Sequence, residues 1–202
     1  RLRRLTEHTC VERNEYSLGH LPASARWGEG KYSSYITVPE TEEQIPNLWA
    51  IGHLTSVLYA ASETEPRPRL RIQLDLLRQV DRDRVNAILN MASDDAGTIN
   101  IPCLIRLPLP SRLQGFREVF DATDGYTKKA NMPRLSITDV MIGDLVLVEC
   151  TAIRYKQDKK TPQQRDRWVA GFQFHAISIL YRRSETVAPP PCLFPDDFEG
   201  YL

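Results

Sequence analysis

The chain has 202 residues, 42% hydrophobic and 26% charged, with 26 basic and 26 acidic side chains and a formal net charge of zero. A chain of this length buries a real core, as one large domain or as a domain with an appendage, and this composition excludes a fibrous or wholly disordered protein. Zero net charge excludes a surface coated in positive charge, and no apolar run reaches the ~18 residues of a membrane-spanning helix.

The charge is nevertheless segregated. Between Arg154 and Arg167 lie six basic and two acidic residues, so the remainder of the chain is net acidic. Segregation of this kind can steer a polyanion to one face. Four cysteines (Cys10, Cys103, Cys150, Cys192) are far apart and form no Cys-x-x-Cys pair. This usage predicts reduced thiols and a nuclear or cytoplasmic protein. No secretory leader is recognisable at the start. The first residue, Arg1, leads us to expect a piece of a longer protein.

In chain order, residues 1–30 open with Arg1, Arg3 and Arg4 and are punctuated by Gly19, Pro22, Gly28 and Gly30. His8, Cys10 and His20 match no zinc-ligand spacing. Residues 31–39 have a strand's composition, ended by Pro39. Thr41 with Gln44 has the form of a capping box, and Ile45, Leu48, Trp49, Gly52, Leu54, Val57, Leu58 and Ala61 recur at helical spacing. A buried helix is expected over 46–62, with Trp49 in the core. Residues 62–68 hold two prolines and read as a linker.

Residues 69–76 alternate with period two: Leu70, Ile72, Leu74 and Leu76 face inward, and Arg69, Arg71, Gln73 and Asp75 face outward. This is a half-buried strand. A short helix follows, capped by Asp81 or Asp83, with Val85, Ile88, Leu89 and Ala92 on one face, and 93–97 stops it. Residues 98–107 read as a strand with Pro102 at an edge or bulge. Residues 116–120 lead into Asp121 and Asp124 before Gly125, read as an Asx-type turn with the glycine at positive φ. Lys128 and Lys129 sit in a loop, 137–142 form a helical turn, and Gly143 with Asp144 turns the chain sharply.

Two long strand-like runs then face each other, 144–155 and 168–181, rich in β-branched residues. They flank the polar, Pro-containing loop 156–167 and read as a long β-hairpin. The end of the chain, 185–202, is Pro-rich, then acidic and aromatic, and builds no core of its own.

From Arg69 onward this order resembles the closing half of an OB-fold barrel, of the single-stranded-nucleic-acid-binding type found in replication protein A and telomere-end proteins. The resemblance implies strand one at 69–77, strand two at 98–107, strand three at 116–122, strand four at 144–155 and strand five at 168–181. Two features depart from it: the helix at 83–92 between strands one and two, and residues 1–65, which lie outside the fold. The expected class is mainly β with α: an N-terminal extension over 1–65 with one buried helix, a five-stranded OB-like barrel over 66–184, and a tail over 185–202.

Binding single strands without reading base edges needs cations for phosphates and flat rings for bases. Arg154, Lys156, Lys159, Lys160, Arg165 and Arg167 would supply the first. Tyr155 and Trp168 would supply the second, with Phe172 and Phe174 continuing the Trp168 face by period two. Val169, Ile177, Ile179 and Tyr181 would take the opposite face. The function expected is single-stranded nucleic-acid binding, with DNA the expected ligand, inside a larger protein or complex. The alternative is a protein-interaction module, engaged through the 46–62 helix or through the tail from Phe194 to Tyr201. No Gly-x-Ser-x-Gly, P-loop, His-Glu-x-x-His or dinucleotide fingerprint occurs, and His53 and His175 read as structural. We therefore expect no enzyme activity, metal or cofactor.

Overall fold

A computed structural model describes residues 1–41, 44–60, 69–91, 103–108, 116–157 and 167–183. The elements in order are α1 (Leu2–Thr6), β1 (Thr9–Cys10), β2 (Glu15–Ser17), β3 (Arg26–Trp27), β4 (Ile36–Thr37), β5 (Asn47–Ala60), β6 (Arg69–Leu76), α2 (Gln79–Asn90), β7 (Cys103–Pro108), β8 (Val119–Asp121), β9 (Leu145–Gln157) and β10 (Arg167–Tyr181). The protein is mostly β with few helices. Among the described residues no helix is long and apolar enough to cross a membrane. The linker at 62–68, the helix stop at 93–97 and the tail at 185–202 lie outside the described residues.

The expected helix at 46–62 is instead β5, a strand of 14 residues. It pairs antiparallel with β6 and with β9, and parallel with β2. Leu48, Trp49, Ala50 and Ile51 are all buried, because both faces of β5 are covered. A strand buried on both faces shows a continuous apolar run, which periodicity alone cannot tell from a buried helix. A bulge between Leu54 and Ser56 then puts Leu54 and Val57 against one core, an offset of three that mimics a helix. Gly52 confirms the strand geometry: a Cβ there would lie 2.4 Å from the backbone O of Asp75 on β6.

The pairings run in a ring. β5 joins β6 and β6 joins β7, both antiparallel; β7 joins β10 in parallel; β10 joins β9 and β9 joins β5, again antiparallel. The result is a curled, mixed, barrel-like sheet. Residues 47–60 are therefore integral to the sheet they were expected to stand outside. β8 pairs in parallel with the far end of β10 and takes no place in the ring.

The hairpin forms as expected, with β9 and β10 in antiparallel register from Leu145↔Tyr181 to Gln157↔Arg167. The side-chain faces do not follow simple alternation. A bulge between Phe174 and Ala176 shifts the phase, so Phe172, Phe174, Ile177 and Ile179 all pack into one core. The expectation that Ile177 and Ile179 oppose the Phe172–Phe174 face is corrected by this one extra residue.

β9 keeps strict alternation. Val146, Val148, Cys150 and Ala152 enter that main core with Leu70, Ile72 and Leu74 of β6 and Val85 and Ile88 of α2. Each buried Val, Leu or Ile side chain there contributes about 1.5–3 kcal/mol. Leu145 and Leu147 point to the other face, where Trp49, Ile51, Phe120, Met132 and Leu180 form a second core covered by Leu2 and Leu5 of α1.

The N-terminal residues make no long strand at 31–39. A 3-10 turn (Gly30–Tyr32) precedes the two-residue β4, which pairs with β3 as a separate small sheet. The α2 N-cap is Arg78, without a side-chain cap, in place of Asp81 or Asp83. Buried Asp81 instead accepts hydrogen bonds from Gly19 N (2.8 Å) and from Arg78 Nε (2.9 Å) and Nη2 (2.6 Å), holding α2 to the N-terminal segment. Asp121 forms the expected Asx turn, accepting from Thr123 N at 3.0 Å and Thr123 Oγ1 at 2.6 Å. Among the described glycines, positive φ falls at Gly30 (54°) and Gly143 (96°), so the expectation for Gly125 is not met.

Candidate functional site

The residues expected to bind nucleic acid divide into three groups. Arg154, Lys156 and Trp168 come together at one end of the hairpin. Lys156 and Trp168 are direct cross-strand partners, and Ala170 faces Arg154 two pairs further in. By alternation all three side chains extend the face that carries the main core, beyond the point where that core ends. The Arg154 guanidinium lies 4.6 Å from the Trp168 ring centroid, and Lys156 Nζ lies 5.6 Å from it. Trp168 is half-buried and Lys156 exposed.

Tyr155 is exposed on the opposite face of β9, turned away from this cluster. Phe172 and Phe174 are buried, and Phe174 meets Phe116 edge-on at 5.2 Å. Neither offers a ring to solvent, so the aromatic surface at this end of β10 is Trp168 without them. Lys159, Lys160 and Arg165 lie outside the described residues. Arg167 opens β10 opposite Gln157.

Sequence reasoning missed Trp27. Its ring lies 5.0 Å from the same Arg154 guanidinium, on the β3–β4 segment. That segment is fastened to β9 through its backbone: Arg154 N donates to Ser34 O at 2.8 Å, Arg154 Nε donates to Ser33 O at 2.7 Å, and Tyr35 bridges to Ile153. The chain has three tryptophans, and two of them meet at one arginine. Their rarity was the available signal, but no spacing rule links residues 27 and 168. A further cation, Lys31, lies 4.8 Å from the ring of Tyr32, which packs on Gly28 beside Trp27.

The opposite face of the sheet holds a second polar grouping, also unforeseen. Glu149 is buried in the middle of β9 and accepts from Lys129 Nζ (2.9 Å), Asn47 Nδ2 (3.0 Å) and Tyr126 Oη (3.3 Å). Burial, reinforced by the neighbouring carboxylate of Glu149, pushes the Tyr126 hydroxyl pKa far up, so it stays a donor. Trp49 carries His8 stacked on one face at 3.9 Å and Tyr126 edge-on at 5.1 Å. Among the described residues, the buried Trp49 Nε1 and Asn47 Oδ1 have no hydrogen-bond partner. His175, on the β10 bulge, shares a hydrogen bond with Thr151. Its pKa is lowered chiefly by burial, with Glu149 opposing and Lys129 adding to the shift. His53 belongs to β5, where it is exposed and Nδ1 lies 3.3 Å from Gly143 O.

Among the described residues no group of three or more His, Cys, Asp or Glu side chains is arranged to hold a metal ion. No protein-family model, no curated protein and no solved structure matches this chain.

Proposed function

We propose that this chain binds single-stranded nucleic acid, DNA by preference, through an OB-like barrel, as part of a larger protein or complex in the nucleus. The observation that carries the reading is the cluster at the hairpin end. Two cations lie over a partly exposed indole, at the mouth of a loop whose sequence adds Lys159, Lys160 and Arg165. This combines the phosphate-binding charge and the stacking surface that sequence-tolerant single-strand binding requires.

The ring of strand pairings supports the OB-like part of the reading. The expected numbering, with 69–77 as strand one and 116–122 as strand three, does not fit this ring, which includes β5 and leaves out β8; if β5 is strand one instead, then β6, β7, β9 and β10 follow as strands two to five. OB folds bind oligonucleotides with the loops that join strands one to two and four to five. In this numbering the loop joining four to five is the basic one.

Fluorescence anisotropy with labelled oligonucleotides tests the proposal. Binding in the micromolar range or tighter is expected, with affinity falling as salt rises by somewhat less than one unit of log–log slope per phosphate contacted. Reversing the charge of Lys159, Lys160 and Arg165 together should weaken all sequences alike. Absence of salt-sensitive binding at micromolar protein overturns the proposal.

Zero net charge favours a second reading, a protein-interaction module with no nucleic-acid contact. Light scattering with and without residues 185–202 separates a tail that straps onto its own chain from one that docks on a partner or a second copy.

A further inference from the structure

We infer that Trp27 and Trp168 are the two walls of a nucleobase slot, which the Arg154 guanidinium occupies in the free protein. This inference rests on the nucleic-acid reading and deepens it, by adding Trp27 to the site and giving Arg154 two positions.

The guanidinium is planar and stacks on aromatic faces as a base does. Its central carbon lies 5.0 Å from the Trp27 centroid and 4.6 Å from the Trp168 centroid. A base ring in the same place would have centroid distances within the range of about 4.5–7 Å at which aromatic pairs stack. Both rings are therefore within contact range of a base placed where the guanidinium lies.

The walls stand without the Arg154 side chain. Trp168 is fixed by the β9–β10 ladder, and Trp27 by its pairing with Ile36 and by the backbone bond from Arg154 N to Ser34 O. On binding, the base takes the place between the rings and the guanidinium moves out to the adjoining phosphate. There it makes a charge-assisted hydrogen bond, the stronger class of hydrogen bond. Lys156, on the Trp168 side, holds the next phosphate. A purely structural role for the triplet predicts none of this exchange.

The test compares labelled dT15 with an abasic 15-mer of equal charge, on the whole chain, by anisotropy. Wild-type protein should bind dT15 at least about fivefold more tightly, the low end of what one stacked base is worth. Trp27→Ala should abolish that preference, and Trp27→Phe should restore it. Equal wild-type affinity for the two probes, or a preference that survives Trp27→Ala, overturns the slot and leaves phosphate binding standing. Binding to neither probe overturns the nucleic-acid reading and the slot with it. Should Trp27→Ala fail to fold, the wild type alone decides: dT15 must quench the tryptophan emission and the abasic strand must not. Equal quenching by both overturns the slot.

Discussion

Trp49 on β5 and Glu149 on β9 are direct cross-strand partners, so a large indole and a buried carboxylate share one spot on the outer face of the sheet. The carboxylate is tolerable there because three donors converge on it, from β5 and from the 126–129 loop. A buried ion without such partners is strongly unfavourable. Glu149→Ala would leave the Asn47 amide and the Tyr126 hydroxyl unsatisfied, and chemical denaturation should show a loss of about 2–4 kcal/mol. Lys129→Ala should lose about 1 kcal/mol, because its side chain is 40% exposed and the pair is partly screened by solvent. The reverse order would remove Glu149 as the centre of this grouping.

Gly52→Ala distinguishes strand from helix at the position where sequence periodicity points to helix. In an exposed helix interior the change stabilises by about 1 kcal/mol. On β5 the new Cβ meets the Asp75 carbonyl at 2.4 Å, a backbone atom that cannot swing aside. We expect a loss of at least about 2 kcal/mol, read as a lowered denaturant midpoint. Unchanged or raised stability would contradict the β5–β6 pairing.

The turn into β9 is held by Asp144, which is buried and accepts from Met141 N at 3.0 Å and Arg183 N at 2.9 Å. It joins the start of one long strand to the residues after the other. Asp144→Ala should lose about 2–3 kcal/mol. Gly143→Ala should lose about 1–2 kcal/mol, since φ is +96° and the added carbon would also crowd Arg183 Cδ at 3.2 Å. Thermal melts of the two variants check both figures.

His175 makes stability fall with acid. Burial lowers its pKa in the folded protein relative to 6.5, so the unfolded chain binds the proton first. Its contribution is fully present above about pH 6.5 and is lost as pH falls through the lowered folded value. His175→Gln should therefore show a flatter melting temperature than wild type between pH 7 and pH 5. Parallel profiles over that range would refute the assignment.

Several elements were legible from residue order alone. The alternation of 69–76 stated its own two faces, and β6 forms as read. The hairpin was evident because two β-branched runs flank a polar loop with a proline, and local chemistry suffices for that. The turn at Asp121 is equally local, a side chain bonding its own neighbouring backbone. The meeting of Arg154, Lys156 and Trp168 is set by the register of that hairpin, which pairs Trp168 with Lys156.

What only tertiary structure decided has two physical causes. A strand covered on both faces shows no alternation, and a one-residue bulge moves every later side chain to the other face, so β5 imitates a helix and Ile177 changes sides with nothing in the sequence to mark either event. Contacts across a hundred residues are set by packing: Trp27 beside Arg154, and Asn47 beside Glu149, exist only because the sheet curls far enough to bring those segments together.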